Sequence, residues 1–160
     1  MDAQLLGPLN ISAEPFRLPI YQGASCGFPS PAENFAEPPL SLDELVQIRE
    51  PSTFLVKAEG DSMIEAGIFS GDVLIVVRGM EARSGDIIVA RLGAEFTVKE
   101  LEITATQTVR LLPANPQHQP IVLEEADELE VWGVVTWNLH CLTPASRMAR
   151  SGGNAVRRVS

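Results

Sequence analysis

The chain has 160 residues, 45% of them hydrophobic, and a formal charge of −9; that supports a core of one domain plus arms and argues against direct, sequence-specific grip on nucleic acid, which needs a basic footprint. Two cysteines make no disulfide framework, and no run approaches the ~20 apolar residues of a membrane span. The first fifteen residues, MDAQLLGPLNISAEP, hold no Lys or Arg and no unbroken apolar stretch, so no signal peptide is expected and a soluble, cytoplasmic protein is.

Residues 1–39 read as an arm, broken by Pro8, Pro15, Pro19, Pro29, Pro31, Pro38 and Pro39, with short extended pieces such as FRLPIY. The arm holds GASCGFPSPAENF (23–35), whose Cys26 is open to several readings: nucleophile, metal ligand, redox switch, or part of a segment that is acted upon. SLDELVQIR (41–49) reads as a short helix, with Ser41 and Glu44 matching a capping box and Pro51 beyond its end.

From Thr53 onward the pattern is β. TFLVKA, DVLIVV, DIIVARL, EFTVKEL, TQTVRLL and ELEVWGVVTWNL are rich in β-branched and aromatic residues. Turn signals separate them, including the PANPQHQP loop and an SGD tripeptide at 70–72 and again at 84–86, each opening an apolar run. The expected class is mainly β, a barrel or sandwich-like domain over residues 40–142 with one short helix and a long arm. Residues 143–160 form a basic tail with Arg147, Arg150, Arg157 and Arg158 and no acid; disorder is its simplest reading. Residues 1–142 then carry eight bases against 21 acids, a net −13.

No metal-ligand spacing and no phosphate-binding loop is present; His118 falls in a polar loop and His140 after a strand. GDSMI lacks the second glycine of a nucleophile elbow. The lysines are more telling. Arginine is used ten times and lysine twice, at Lys57 and Lys99. Arginine stays protonated, whereas a buried lysine can lose its proton and act as a base. In EFTVKEL, alternation sets Thr97, Lys99 and Leu101 on one strand face. Lys57 in FLVKAEG rivals it, and for either a head reaching solvent is the plain alternative. Ser62, in EGDSM after Gly60, sits where a strand turns; as a nucleophile it would need such a base, and a turn or cap role is its plain alternative.

CGFPSP (26–31), GDSMIEAG (60–67), the repeated GD and EFTVKEL (95–101), in this order, resemble the LexA/UmuD-type family of self-cleaving serine peptidases over roughly Phe16 to Leu142. The resemblance implies a β-rich peptidase domain, Ser62 as nucleophile and Lys99 as general base, 37 residues apart, with Lys57 given no role. It implies that the bond cut is Cys26–Gly27, so Cys26 supplies the attacked carbonyl. No cofactor is implied, and no metal. The implied partners are a second copy of the chain, a RecA filament on single-stranded DNA that promotes cleavage, a UmuC-type Y-family translesion polymerase that the shortened dimer joins, and the polymerase sliding clamp. The alternatives are an idle polymerase-accessory module and a LexA-like repressor relative. The 26 residues before the cut are too few and too proline-rich for a helix-turn-helix, which favours the UmuD-type reading.

Overall fold

The computed structural model describes residues 2–5, 14, 16–21, 36–124 and 129–143; Cys26, Gly27 and the four tail arginines lie outside them. The described strands are β1 (Asp2–Leu5), β2 (Leu18–Tyr21), β3 (Ala36–Leu40), β4 (Thr53–Glu59), β5 (Val73–Val77), β6 (Ile87–Leu92), β7 (Glu95–Ile103), β8 (Val109–Leu112), β9 (Ile121–Val122) and β10 (Leu129–Leu139). A helix α1 (Leu42–Leu45) and a 3-10 turn at Ile64–Ala66 complete them. The mainly β class is what the sequence predicts.

Helix α1 is shorter than the expected 41–49. The chain leaves it at Gln47, whose φ of 53° is left-handed, and the Ser41 side chain makes no capping bond. Ser41 is instead wholly buried, so packing rather than capping fixes the helix start.

The main sheet runs β1-β4-β5-β10-β6-β7-β8-β9, with antiparallel pairing between each neighbour. β1 also meets β7 at Asp2 and Thr97, which turns the sheet back on itself. That position of the first residues carries no signal in the sequence. β2 and β3 form a separate antiparallel pair, with Tyr21 opposite Ala36, so they bracket the segment that holds Cys26 and Gly27. β10 is long because it serves two neighbours: its first half pairs with β6 and its second with β5. Register shifts at Val131/Gly133 and Val135/Trp137 accommodate the change of partner.

Period-2 alternation sends β6 side chains to two cores. Val89 joins Val56, Ala58, Met63, Leu74, Val76 and Val98. Ile88 and Ala90 join Leu101, Leu111 and Val134 on the other side. The sheet is therefore buried on both faces where these strands meet, which explains their near-continuous apolar sequence.

The two SGD tripeptides do the same work twice. Gly71 N–H donates to the Ala58 carbonyl at 2.8 Å, Ala58 N–H to the Asp72 carbonyl at 2.9 Å, and Gly60 N–H to Ser70 Oγ at 3.3 Å. In the second copy, Gly85 N–H donates to the Leu101 carbonyl at 2.7 Å, Leu101 N–H to the Asp86 carbonyl at 2.8 Å, and Ile103 N–H to Ser84 Oγ at 2.9 Å. Each aspartate side chain also accepts the N–H three residues back, from Phe69 at 2.9 Å and Arg83 at 2.8 Å. One clasp fixes the exit of β4, the other the far half of β7.

Gly133 shows how tightly β10 is packed where it changes partner. A Cβ there would stand 2.6 Å from Val76 Cγ1 and 3.0 Å from the Val77 carbonyl oxygen. Both belong to the β5 neighbour, and backbone cannot move aside cheaply. Gly133→Ala should therefore lower stability by about 1–3 kcal/mol, measured as a fall in the urea unfolding midpoint at unchanged slope; a midpoint equal to that of the parent would show the strands part without cost.

Candidate active site

β4 carries the chain to Glu59, and Gly60 turns it with φ of 90°, a conformation that costs glycine least. Ser62 follows and is fully buried; so is Met63, which drives its side chain into the first core and anchors the turn from below. Lys99 comes from the middle of β7 and is only 5% exposed. Its Nζ lies 2.8 Å from Ser62 Oγ, 3.0 Å from Thr97 Oγ1 and 3.0 Å from the Val98 carbonyl oxygen. Thr97 and Lys99 thus share the strand face that alternation predicts. Lys57, on β4, is exposed. Burial separates two lysines that strand periodicity leaves equal: Lys57 extends into solvent, and Lys99 ends on a serine.

A second group of bonds fixes the turn that bears Ser62. Asn115, itself 5% exposed, donates from Nδ2 to the Asp61 carbonyl at 3.0 Å. His118 Nε2 meets Asp61 Oδ1 at 2.7 Å. Glu65 N–H donates to the Ala114 carbonyl at 2.9 Å. The polar PANPQHQP loop is thus docked against residues 61–65. Neither Asn115 nor His118 stands out in the sequence, because an Asn after Pro-Ala and a His in a polar run are ordinary turn residues.

On the other side, Asp72 is 4% exposed and collects three donors. These are Phe69 N–H at 2.9 Å, Asn138 Nδ2 at 2.9 Å and His140 Nδ1 at 2.6 Å. His140 serves a structural role here, and its ring also rests on Phe69 with centroids 5.0 Å apart. Burial pushes the Asp72 carboxyl up, but the Phe69 N–H, the His140 and Asn138 hydrogen bonds and the His140 charge outweigh it, and its pKa lies below the ordinary value. Among the described residues no three His, Cys, Asp or Glu side chains gather as a metal site, and no helix is long and apolar enough to cross a membrane. Cys141 is exposed and carries no disulfide.

A serine and a lysine in buried contact on a β scaffold define a class, that of β proteins with the side-chain pair of a lysine-assisted serine hydrolase. Comparison with known proteins agrees: the Peptidase S24-like family matches residues 19–136. The chain belongs to that family, and the LexA/UmuD likeness read from its motifs is borne out. It is 41% identical over 114 residues to Protein SamA of Salmonella typhimurium, covering 71% of this chain and 78% of that one. It is 36% identical over 114 residues to Protein ImpA of the same organism, covering 71% and 77%. It is 39% identical over 128 residues to a LexA repressor of Verminephrobacter eiseniae; there it covers 80% of this chain but spans only 56% of the repressor.

A carboxylate held below its ordinary pKa stabilises the fold above its unfolded-state pKa, and that contribution disappears as pH falls through the folded-state value. Asp72→Asn should therefore cost about 1–3 kcal/mol near pH 7, and the gap from the parent should narrow below about pH 4. Urea unfolding at the two pH values checks it; a gap independent of pH would assign the loss to packing alone.

Proposed function

We propose that this chain is a self-cleaving serine peptidase of the SOS response, with Ser62 as nucleophile and Lys99 as general base. The observation that carries the reading is the 2.8 Å contact between Lys99 Nζ and Ser62 Oγ inside an S24 fold. Burial disfavours an ammonium relative to the free amine. A neutral amine donating N–H bonds to Thr97 Oγ1 and the Val98 carbonyl directs its lone pair at the Ser62 hydroxyl.

The chemistry follows from that geometry. Lys99 takes the Ser62 proton as Oγ attacks the Cys26 carbonyl carbon. The tetrahedral intermediate collapses, the Cys26–Gly27 bond breaks, and the Gly27 nitrogen leaves with the proton that Lys99 held. Water then hydrolyses the acyl-enzyme to a Cys26 carboxylate and restores Ser62. The Ser62 N–H is the proposed donor to the oxyanion. A tethered substrate raises the effective concentration of the bond to be cut. β2 and β3, which flank residues 22–35 in the sequence, pair with each other, so the two ends of the proposed substrate segment are held together.

The regulatory and assembly roles rest on the family likeness. Cleavage is stimulated by a RecA filament on single-stranded DNA. The shortened homodimer in the cytoplasm then serves as accessory subunit of a UmuC-type Y-family translesion polymerase and meets the sliding clamp.

Purified chain incubated at raised pH should slowly lose its first 26 residues, read by mass spectrometry of the new N-terminus. The rate should rise with pH, because the base form of Lys99 becomes more populated. Ser62→Ala and Lys99→Ala should each slow cleavage by a hundredfold or more, on the order of the loss from removing a general base. Cleavage of either variant at the parent rate would refute the dyad. An intact chain under every condition, filament included, with polymerase binding retained would mark an idle accessory module.

A further inference from the structure

We propose that Asn115 is a positioning residue for the nucleophile, holding the Asp61–Ser62 peptide plane in the orientation that the acyl-transfer step requires. The inference deepens the self-cleavage reading and rests on it. A trans peptide is planar, with its C=O and N–H pointing opposite ways, and no described peptide bond is cis. A donor fixed on the Asp61 carbonyl therefore fixes the direction of the Ser62 N–H as well. Asn115 Nδ2 is that donor, at 3.0 Å across 54 residues of sequence.

The Asn115 amide is itself held. Its Oδ1 accepts the Gln117 N–H at 2.9 Å, and its own carbonyl accepts the His118 N–H at 3.1 Å. The first bond settles which end of the amide faces Asp61, since the flipped amide would set two acceptors together and two donors together. Only an amide accepts from the loop and donates to the turn with this reach. An aspartate keeps the acceptor but presents a carboxylate to a carbonyl. A bond to the C=O also polarises the peptide and makes its N–H a stronger donor. The Asp61 carbonyl is shared with the Ile64 N–H only at 3.4 Å, so Asn115 is the shorter bond.

The test compares Asn115→Asp, Asn115→Ala and Asn115→Ser in the full chain. The readout is loss of the first 26 residues across a pH series. N115D and N115A should cut about tenfold to a hundredfold more slowly, below the loss from deleting an oxyanion donor outright. The pH midpoint of the rate should stay at the parent value, since Lys99 is untouched. N115S, with a hydroxyl donor on a shorter arm, should recover part of the rate that N115A loses, and serves in place of N115D should the latter fail to fold. In a non-cutting Lys99→Ala background, the Ser62 amide nitrogen resonance should move when Asn115 is changed to Ala. Folded variants that cut within twofold of the parent would overturn the proposal. So would a slower rate whose pH midpoint moves while the Ser62 resonance does not, because the effect would then run through the base. A parent chain that never cuts itself refutes the self-cleavage reading instead; the Ser62 resonance alone then decides whether Asn115 orients the peptide.

Discussion

The contact between Lys99 Nζ and Ser62 Oγ joins residues 37 apart in the sequence, one in the turn after β4 and the other in the middle of β7. Holding it is the constraint to which the rest of the structure answers. An amine within the fold is costly unless its polar neighbours are placed for it, and a proton moves between two side chains only at hydrogen-bond distance. Both demands call for strands that do not slide. The two SGD clasps meet them. One binds Ala58, four residues before the serine, and the other Leu101, two residues after the lysine. The same three-residue device thus steadies each side of the Ser62–Lys99 contact.

Rigidity comes further from the loops. Residues 114–118 press on the serine turn from one direction, and the Asp72 cluster ties the neighbouring turn to the end of β10. Asp72 and Asn115 are both nearly inaccessible, and both gather bonds from distant segments. Each turns a loop that could drift into part of the scaffold, which keeps the side chains it supports within a fraction of an ångström of a fixed geometry.

The strands were readable because β-branched runs alternate with glycine and proline turns, and from Thr53 to Leu139 the expected runs match the strands to within a few residues. Ile121–Val122 and Asp2–Leu5 escaped, being too short to show a period and fixed by pairing rather than by their own pattern. The helix was overextended because Gln47 turns left-handed in a sequence that local propensity would continue. Lys57 and Lys99 illustrate the boundary of what alternation can tell. Both sit in apolar strands, and only the tertiary surroundings of each distinguish the solvated head from the buried one. That Ser62 and Lys99 meet is legible through the order of the motifs. Asn115 was not, since the bond that gives it meaning spans 54 residues.

The strand pairing of the first residues bears on what a single cut would accomplish. Breaking the chain after Cys26 would leave β1 and β2 on the smaller piece. β1 is laddered to β4 over Asp2–Leu5, and β2 to β3. Hydrolysis would remove the covalent tether but none of those backbone bonds. The fragment would then behave as a ligand with two points of attachment, and its departure would depend on dilution and on competition for the vacated edges of β4 and β3. Scission and release are separate events in such a molecule, and a partner strand able to take over either edge would set the interval between them.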